Sequence, residues 1–222
     1  MNDMDNKTIQ SIREHRIVAI ARNIDPKDMI NVAQALYDGN IRLIEITFNQ
    51  KSDRCIEDTI ESIQLVREEF KDKMIVGAGT VMTQLQLVKA YEAGADFILS
   101  PNIDKNIIKL SKQLGLVSIP GAFTPTEIVT AYRYGADVVK LFPAGSLDAS
   151  YVKNIMAPLN HIPLMLVGGI DVHNIADYLK AGVTSFGLGS NILKKEYIKN
   201  RNFSAITELA KKYSRMIKDS KK

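Results

Sequence analysis

The chain has one cysteine, three histidines and no long apolar run among its 222 residues. Cys55 alone excludes an intrachain disulfide and a cysteine-rich zinc site. It lies among Ser52, Asp53, Arg54, Glu57 and Asp58, a poor setting for a nucleophile, and reads as an incidental helix or surface thiol. His15 precedes the first predicted strand, His161 falls in a loop and His173 at a helix start; their spacing matches no metal-ligand pattern, so no metal is expected. The N-terminus carries no apolar segment of signal-peptide length and no run approaches a membrane span, so a cytoplasmic location without membrane contact is expected. Nor is there a Pro/Ser-rich linker or low-complexity tract, so residues 1–222 read as a single domain.

Net charge is concentrated at the C-terminus. The net charge is +4. Residues 211–222 hold Lys211, Lys212, Arg215, Lys218, Lys221 and Lys222 against Asp219, or +5, which leaves the rest at −1. A basic tail on a near-neutral body reads as a solvated helix end. No aromatic interleaving supports nucleic acid as a partner.

What the chain does have is rhythm. A hydrophobic fraction of 45% is ample for a core. Eight β-branched runs are candidate strands: Ile17–Ala21, Arg42–Thr47, Met74–Gly77, Phe97–Leu99, Leu116–Ile119, Val138–Phe142, Leu164–Val167 and Ser185–Leu188. Helical patterns lie between them, at Pro26–Asp38, Cys55–Phe70, Thr83–Ala93, Lys105–Leu114, Thr126–Tyr134, Ser150–Met156 and Asp171–Ala181. Asp25, Thr124 and Asp171 read as N-caps, and Gly39, Gly94, Gly115, Gly135 and Gly182 as helix stops. Eight βα units predict an α/β fold, a closed (β/α)8 TIM barrel, with flanking helices over Met1–Arg16 and Phe203–Lys222. The rival, an open doubly wound sheet, lacks a Gly-x-Gly-x-x-Gly turn after the first strand.

Two charges interrupt these apolar strands. Lys140 sits inside Asp137-Val138-Val139-Lys140-Leu141-Phe142-Pro143, and Glu45 inside Leu43-Ile44-Glu45-Ile46-Thr47-Phe48. An ammonium in an apolar strand is rare unless paired or functional. Desolvation would lower its pKa and free a neutral amine, which attacks carbonyls to form a Schiff base. The plainer reading is a lysine whose stem packs while its head snorkels to water. Glu45 shares a strand face with Leu43 and Thr47, and could shuttle a proton or simply serve an ion pair. A carboxylate near Lys140 would oppose the effect of burial, and the sequence leaves that balance open.

In a barrel the reactive face is the C-terminal end of the strands. The remaining unusual residues fall there: Arg22 after strand one, Gly77-Ala78-Gly79-Thr80 at strand three, Ser100-Pro101-Asn102 after strand four, Pro120-Gly121 at strand five, Gly168-Gly169 after strand seven and Gly189-Ser190 after strand eight. The last two turns can offer backbone N–H groups to a phosphate, or be ordinary strand-to-helix turns.

Taken in order, Ile44-Glu45-Ile46-Thr47, Gly77-Ala78-Gly79-Thr80-Val81, Ser100-Pro101-Asn102, Ile119-Pro120-Gly121, Lys140-Leu141-Phe142-Pro143, Gly168-Gly169-Ile170 and Gly189-Ser190 resemble the class I 2-keto-3-deoxy-6-phosphogluconate (KDPG)/4-hydroxy-2-oxoglutarate (KHG) aldolase family, over about residues 8 to 215. The resemblance implies a homotrimeric, metal-independent Schiff-base lyase that yields pyruvate and glyceraldehyde 3-phosphate. It implies that Lys140 forms the imine and that Glu45 is the general acid/base, working through water. Thr80 and Pro101 would line the pyruvate end, and Gly168, Gly169, Gly189 and Ser190 would grip phosphate.

Two positions depart from the family's gluconate pattern. Asn49 stands where some members carry a carboxylate-binding arginine; Arg22, as in other members, takes that task here. Val167 stands where KDPG aldolases often have threonine, and both Val167 and Asn49 match relatives acting on the galactonate epimer (KDPGal). A phosphate-binding isomerase or epimerase, or a non-catalytic phospho-sugar sensor, would share the glycine turns but would not need Lys140 and Glu45 together.

Overall fold

The computed structural model describes residues 6–219. Nine short parallel strands form one sheet: β1 Ile17–Ala21, β2 Leu43–Thr47, β3 Ile75–Gly79, β4 Phe97–Leu99, β5 Val117–Ile119, β6 Gly121–Ala122, β7 Val139–Leu141, β8 Leu164–Val167 and β9 Ser185–Leu188. Their order is β5-β4-β3-β2-β1-β9-β8-β7-β6. β5 and β6 are two halves of one stave, parted at Pro120, which has no N–H to give the ladder. The Pro120 carbonyl still accepts from Lys140 N at 2.9 Å, between the bonds Asp137 N to Ser118 O and Phe142 N to Ala122 O, both 3.0 Å. The ladder therefore continues through the break and the eight-stave ring closes, as the sequence predicts.

Among the described residues ten α-helices alternate with the strands: α1 Lys7–His15, α2 Pro26–Asp38, α3 Cys55–Phe70, α4 Gln84–Glu92, α5 Lys105–Gln113, α6 Pro125–Arg133, α7 Ala149–Met156, α8 Ile175–Lys180, α9 Lys195–Lys199 and α10 Phe203–Asp219. Asn6 starts α1, accepting from Thr8 N and Ile9 N. The predicted N-terminal helix from Met1 therefore begins at Lys7; Met1–Asp5 and the tail residues Lys221 and Lys222 lie outside the described residues. Thr124 and Glu127 close a reciprocal capping box on α6. Asp171 does not cap α8: its carboxylate accepts from His173 N and Asn174 N in a separate turn, and the helix starts four residues later. Gly39 keeps a negative φ, and Asn40 (φ 65°) takes the left-handed position expected of it. The five-residue α9 was not predicted; it is too short to show a period.

Period 2 sorts the strand residues. Ile44, Ile46, Val76 and Ile98 face outward into the layer shared with the helices, whereas Val18, Ile20, Leu43, Ile75, Phe97, Leu99, Val117, Ile119, Met165 and Val167 fill the barrel interior. Ile9 and Ile12 of α1 join this interior cluster and close the N-terminal end. Glu45 and Lys140 share the inward parity. No helix is long and apolar enough to cross a membrane among the described residues.

Candidate active site

Glu45 is fully buried and Lys140 is 4% exposed. β1, β9 and β8 lie between their strands in the sheet order, so the two side chains approach across the lumen. Space for Glu45 comes from β3, where a Cβ on Gly79 would lie 1.6 Å from Glu45 Oε1. Gly77 likewise makes room for the Phe97 ring. On the far side Lys140 pairs in register with Gly121 and Met165. Its Nζ lies 4.7 Å from the centroid of the Phe142 ring.

The two charges are coupled without touching. Among the described residues no ion pair joins them, and neither carboxylate oxygen of Glu45 has a hydrogen-bond partner. Burial pushes the Glu45 carboxyl above its ordinary value near 4.5, opposed by the positive charges of Lys140 and then Arg22. Burial pushes Lys140 below the ordinary 10.5; Glu45 opposes this and Arg22 adds to it. Desolvation is the largest influence on both, which answers the balance left open by the sequence. The arrangement favours a neutral amine facing a protonatable carboxyl, the pairing a nucleophile and a proton carrier need.

Above this pair a cavity of about 370 Å³ opens at the strand ends. It is lined by Arg22, Val167, Gly168, Gly169, Gly189 and Ser190, but by neither Thr80 nor Pro101. Phe142 lies on its wall and links it to Lys140. Gly168 and Gly169 both have positive φ (86° and 77°). The short 3-10 turn Ala144–Ser146 packs against them, with Gly145 N donating to Gly168 O at 2.6 Å. Two asparagines occupy carbonyls of this turn: Asn174 Nδ2 donates to Gly169 O at 2.8 Å and Asn191 Nδ2 to Ile170 O at 2.5 Å. Among the described residues the N–H groups of Ile170, Ser190 and Asn191 have no acceptor. Free N–H groups beside Arg22 and Lys195 suit an anion.

Pro101 is half-buried, and its carbonyl packs on Gly121, the register partner of Lys140. Thr80 follows Gly79 and has φ 57°. Asn49 is elsewhere: it lines a larger cavity, about 610 Å³, between α2 and α3. Its charged lining is Glu61 and the ion pairs Asp25–Lys27 and Arg54–Asp58, and the only unpartnered buried side-chain oxygens among the described residues belong to Glu45. The smaller cavity is therefore the candidate site. Cys55 is half-buried on that other wall and burial pushes its thiol up, away from reactivity.

The sequence reading missed Phe142, Asn191 and Lys195. Asn191 and Lys195 flank the predicted Gly189-Ser190 turn, so extending that turn by five residues would have reached both. Among the described residues no group of three or more His, Cys, Asp or Glu side chains could hold a metal ion.

A model of the KDPG and KHG aldolase family matches residues 8–209. The chain is 35% identical over 182 residues to a probable 2-dehydro-3-deoxy-6-phosphogalactonate aldolase of Rhizobium meliloti, covering 82% of this chain and 83% of that one. It is 31% identical over 220 residues to a 2-dehydro-3-deoxy-phosphogluconate aldolase of Haemophilus influenzae, covering 98% and 100%. Among solved structures it matches a native KDPGal structure with TM-score 0.82 at 27% identity, over 92% of this chain and 95% of that one. It also matches a Legionella pneumophila KDPG aldolase with pyruvate captured as a covalent carbinolamine, with TM-score 0.82 at 27% identity, over 93% and 97%.

Proposed function

Since the chain belongs to the KDPG and KHG aldolase family, we propose that it is a class I aldolase in which Lys140 forms the imine. It cleaves 2-keto-3-deoxy-6-phosphogluconate or its galactonate epimer to pyruvate and glyceraldehyde 3-phosphate. It also cleaves 4-hydroxy-2-oxoglutarate to pyruvate and glyoxylate. The observation that carries this reading is the coupled, non-touching pair Lys140 and Glu45 inside the barrel.

The neutral Lys140 amine adds to the C2 ketone to give a carbinolamine, which expels water to leave an iminium. Glu45 takes the proton of the C4 hydroxyl, through water. The C3–C4 bond breaks, C4 becomes the aldehyde, and the electron pair passes into the iminium to give an enamine. Glu45 returns its proton to C3, and water hydrolyses the resulting imine to pyruvate and free lysine. The imine is itself the electron sink, so the reaction needs neither metal nor cofactor. Arg22 grips an anionic end of the substrate with its planar fork. Thr80 and Pro101 line the pyruvate end, and Gly168, Gly169, Gly189 and Ser190 hold the phosphate. Val167 and Asn49 are the candidate determinants of epimer choice; Val167 lines the cavity and Asn49 does not.

An isomerase or epimerase would use the same anion cradle but gives Lys140 no task. The chain works as a single-domain, cytoplasmic homotrimer in carbohydrate catabolism of the Entner–Doudoroff type, with neither nucleic acid nor membrane as partner. Incubation with pyruvate and borohydride tests the reading. A pyruvate-derived mass should appear on the peptide carrying Lys140; labelling elsewhere, or none, rejects it.

A further inference from the structure

Thr80 is a β-branched residue in the left-handed region, with φ 57°. That region is unfavourable for such side chains, and strain of this kind persists only where the surroundings impose it. Here they do. Gln50 Nε2 donates to the Thr80 carbonyl at 2.8 Å. Gln50 Oε1 in turn accepts from Gln86 Nε2 at 3.0 Å. Gln86 is buried on α4, and its own Oε1 accepts from Met82 N at 2.8 Å. The neighbouring peptides are fixed as well: Gly79 O accepts from Phe48 N at 2.9 Å and Val81 N donates to Leu99 O at 3.1 Å.

The Thr80 N–H and hydroxyl, by contrast, have no partner among the described residues. Two long, flexible amides are thus ordered to hold one strained peptide whose donors remain free. That peptide adjoins Gly79, the residue against the Glu45 carboxylate. Gln50 also lies five residues beyond Glu45, so the chain of amides ties the loop after β2 to the loop after β3.

We propose that Gln50 and Gln86 are positioning residues that hold Thr80 in its left-handed conformation, so that its N–H and hydroxyl meet the carboxylate of the lysine-bound pyruvate. The proposal rests on the aldolase reading given above. Neither glutamine touches substrate; both act through the Thr80 backbone.

The test uses pyruvate alone, with two readouts: borohydride trapping on Lys140 and exchange of pyruvate methyl protons in heavy water. Gln50→Ala and Gln50→Glu both remove the donor to Thr80 O, while the glutamate still accepts from Gln86. Both should raise the pyruvate concentration for half-maximal exchange by about 10- to 100-fold, with the melting temperature of Gln50→Glu close to wild type. Thr80→Gly frees the backbone, so adding Gln50→Ala to it should cost little more. Unchanged pyruvate dependence in both Gln50 variants, or fully additive losses in the double variant, would overturn the proposal while leaving Lys140 labelling intact. Absence of wild-type labelling would instead reject the aldolase reading, and this inference with it.

Discussion

Gly79 is bare because Glu45 is not: the Cβ that any other residue would place at position 79 falls 1.6 Å from Glu45 Oε1. The carboxylate fills the volume that a side chain on the adjacent strand would take. Its location is therefore fixed by packing, without any hydrogen bond from the described residues to hold it.

Gly79→Ala should displace the carboxylate, lowering turnover at least about 10²-fold and stability by about 1–3 kcal/mol. Adding Glu45→Ala should recover much of the stability and none of the activity. A double-mutant cycle by denaturant melts and steady-state kinetics measures the coupling. Additive stability losses would show that the two sites do not share this space.

Glu45→Gln should retain imine formation in part while turnover falls by about 10²- to 10⁴-fold. Stability should move the other way with pH. The carboxyl pKa is raised by burial, so its favourable contribution is complete below about pH 4.5 and is lost as pH rises through the folded value. The difference in unfolding free energy should therefore be constant at low pH and grow in favour of the glutamine variant as pH rises. Denaturant titrations at several pH values would read this, and a pH-independent difference would contradict the raised pKa.

Imine formation should depend on pH through Lys140. Burial lowers its pKa, so the rate of trapping with pyruvate should level off well below pH 10.5. Because Glu45 holds that pKa up, Glu45→Gln should move the midpoint to lower pH. An unmoved midpoint would mean that the carboxyl does not act on the amine electrostatically.

Ser190→Asp places a negative charge beside the free N–H groups of the anion cradle. It should weaken cleavage of the phosphorylated substrate by about 10²-fold, with much less effect on 4-hydroxy-2-oxoglutarate, which has no phosphate. Gly169 would be a poorer probe: its φ is 77° and a Cβ there would lie 2.7 Å from Gly145 Cα, so folding would suffer first. Equal losses on both substrates would remove phosphate from this turn.

Val167 faces the lumen beside Gly187, whose missing side chain leaves room for it. An apolar wall separates epimers by only about 1–3 kcal/mol, whereas a hydroxyl that bonds one epimer separates them far more. Wild type should therefore show relaxed selectivity or prefer the galactonate epimer, and Val167→Thr should shift kcat/KM toward gluconate. No shift would place the choice on another residue.

The strands were legible because buried parallel strands read as β-branched runs, and Lys140 and Glu45 stood out because charge in such runs is costly. The split of the fifth stave was not: Pro120 looks like an end, and it is the bonds from Lys140 N and Phe142 N that show the ladder resuming. The Gln50–Gln86 link was also hidden, since two polar residues 36 apart carry no pattern. Asn49 and Val167, paired by family likeness, line separate cavities because a loop residue's direction cannot be taken from strand parity.

Ile9 and Ile12 stop the far end of the lumen, so among the described residues the barrel opens at the C-terminal ends of its strands. Lys140 and Glu45 are buried in the lumen, and the proposed phosphate cradle lies at the strand ends. The two products must therefore leave in sequence. The aldehyde half, nearer the opening, departs while pyruvate is still tethered. In the condensation direction pyruvate has to arrive first and the aldehyde second, so pyruvate should act as a competitive product inhibitor and glyceraldehyde 3-phosphate as a noncompetitive one.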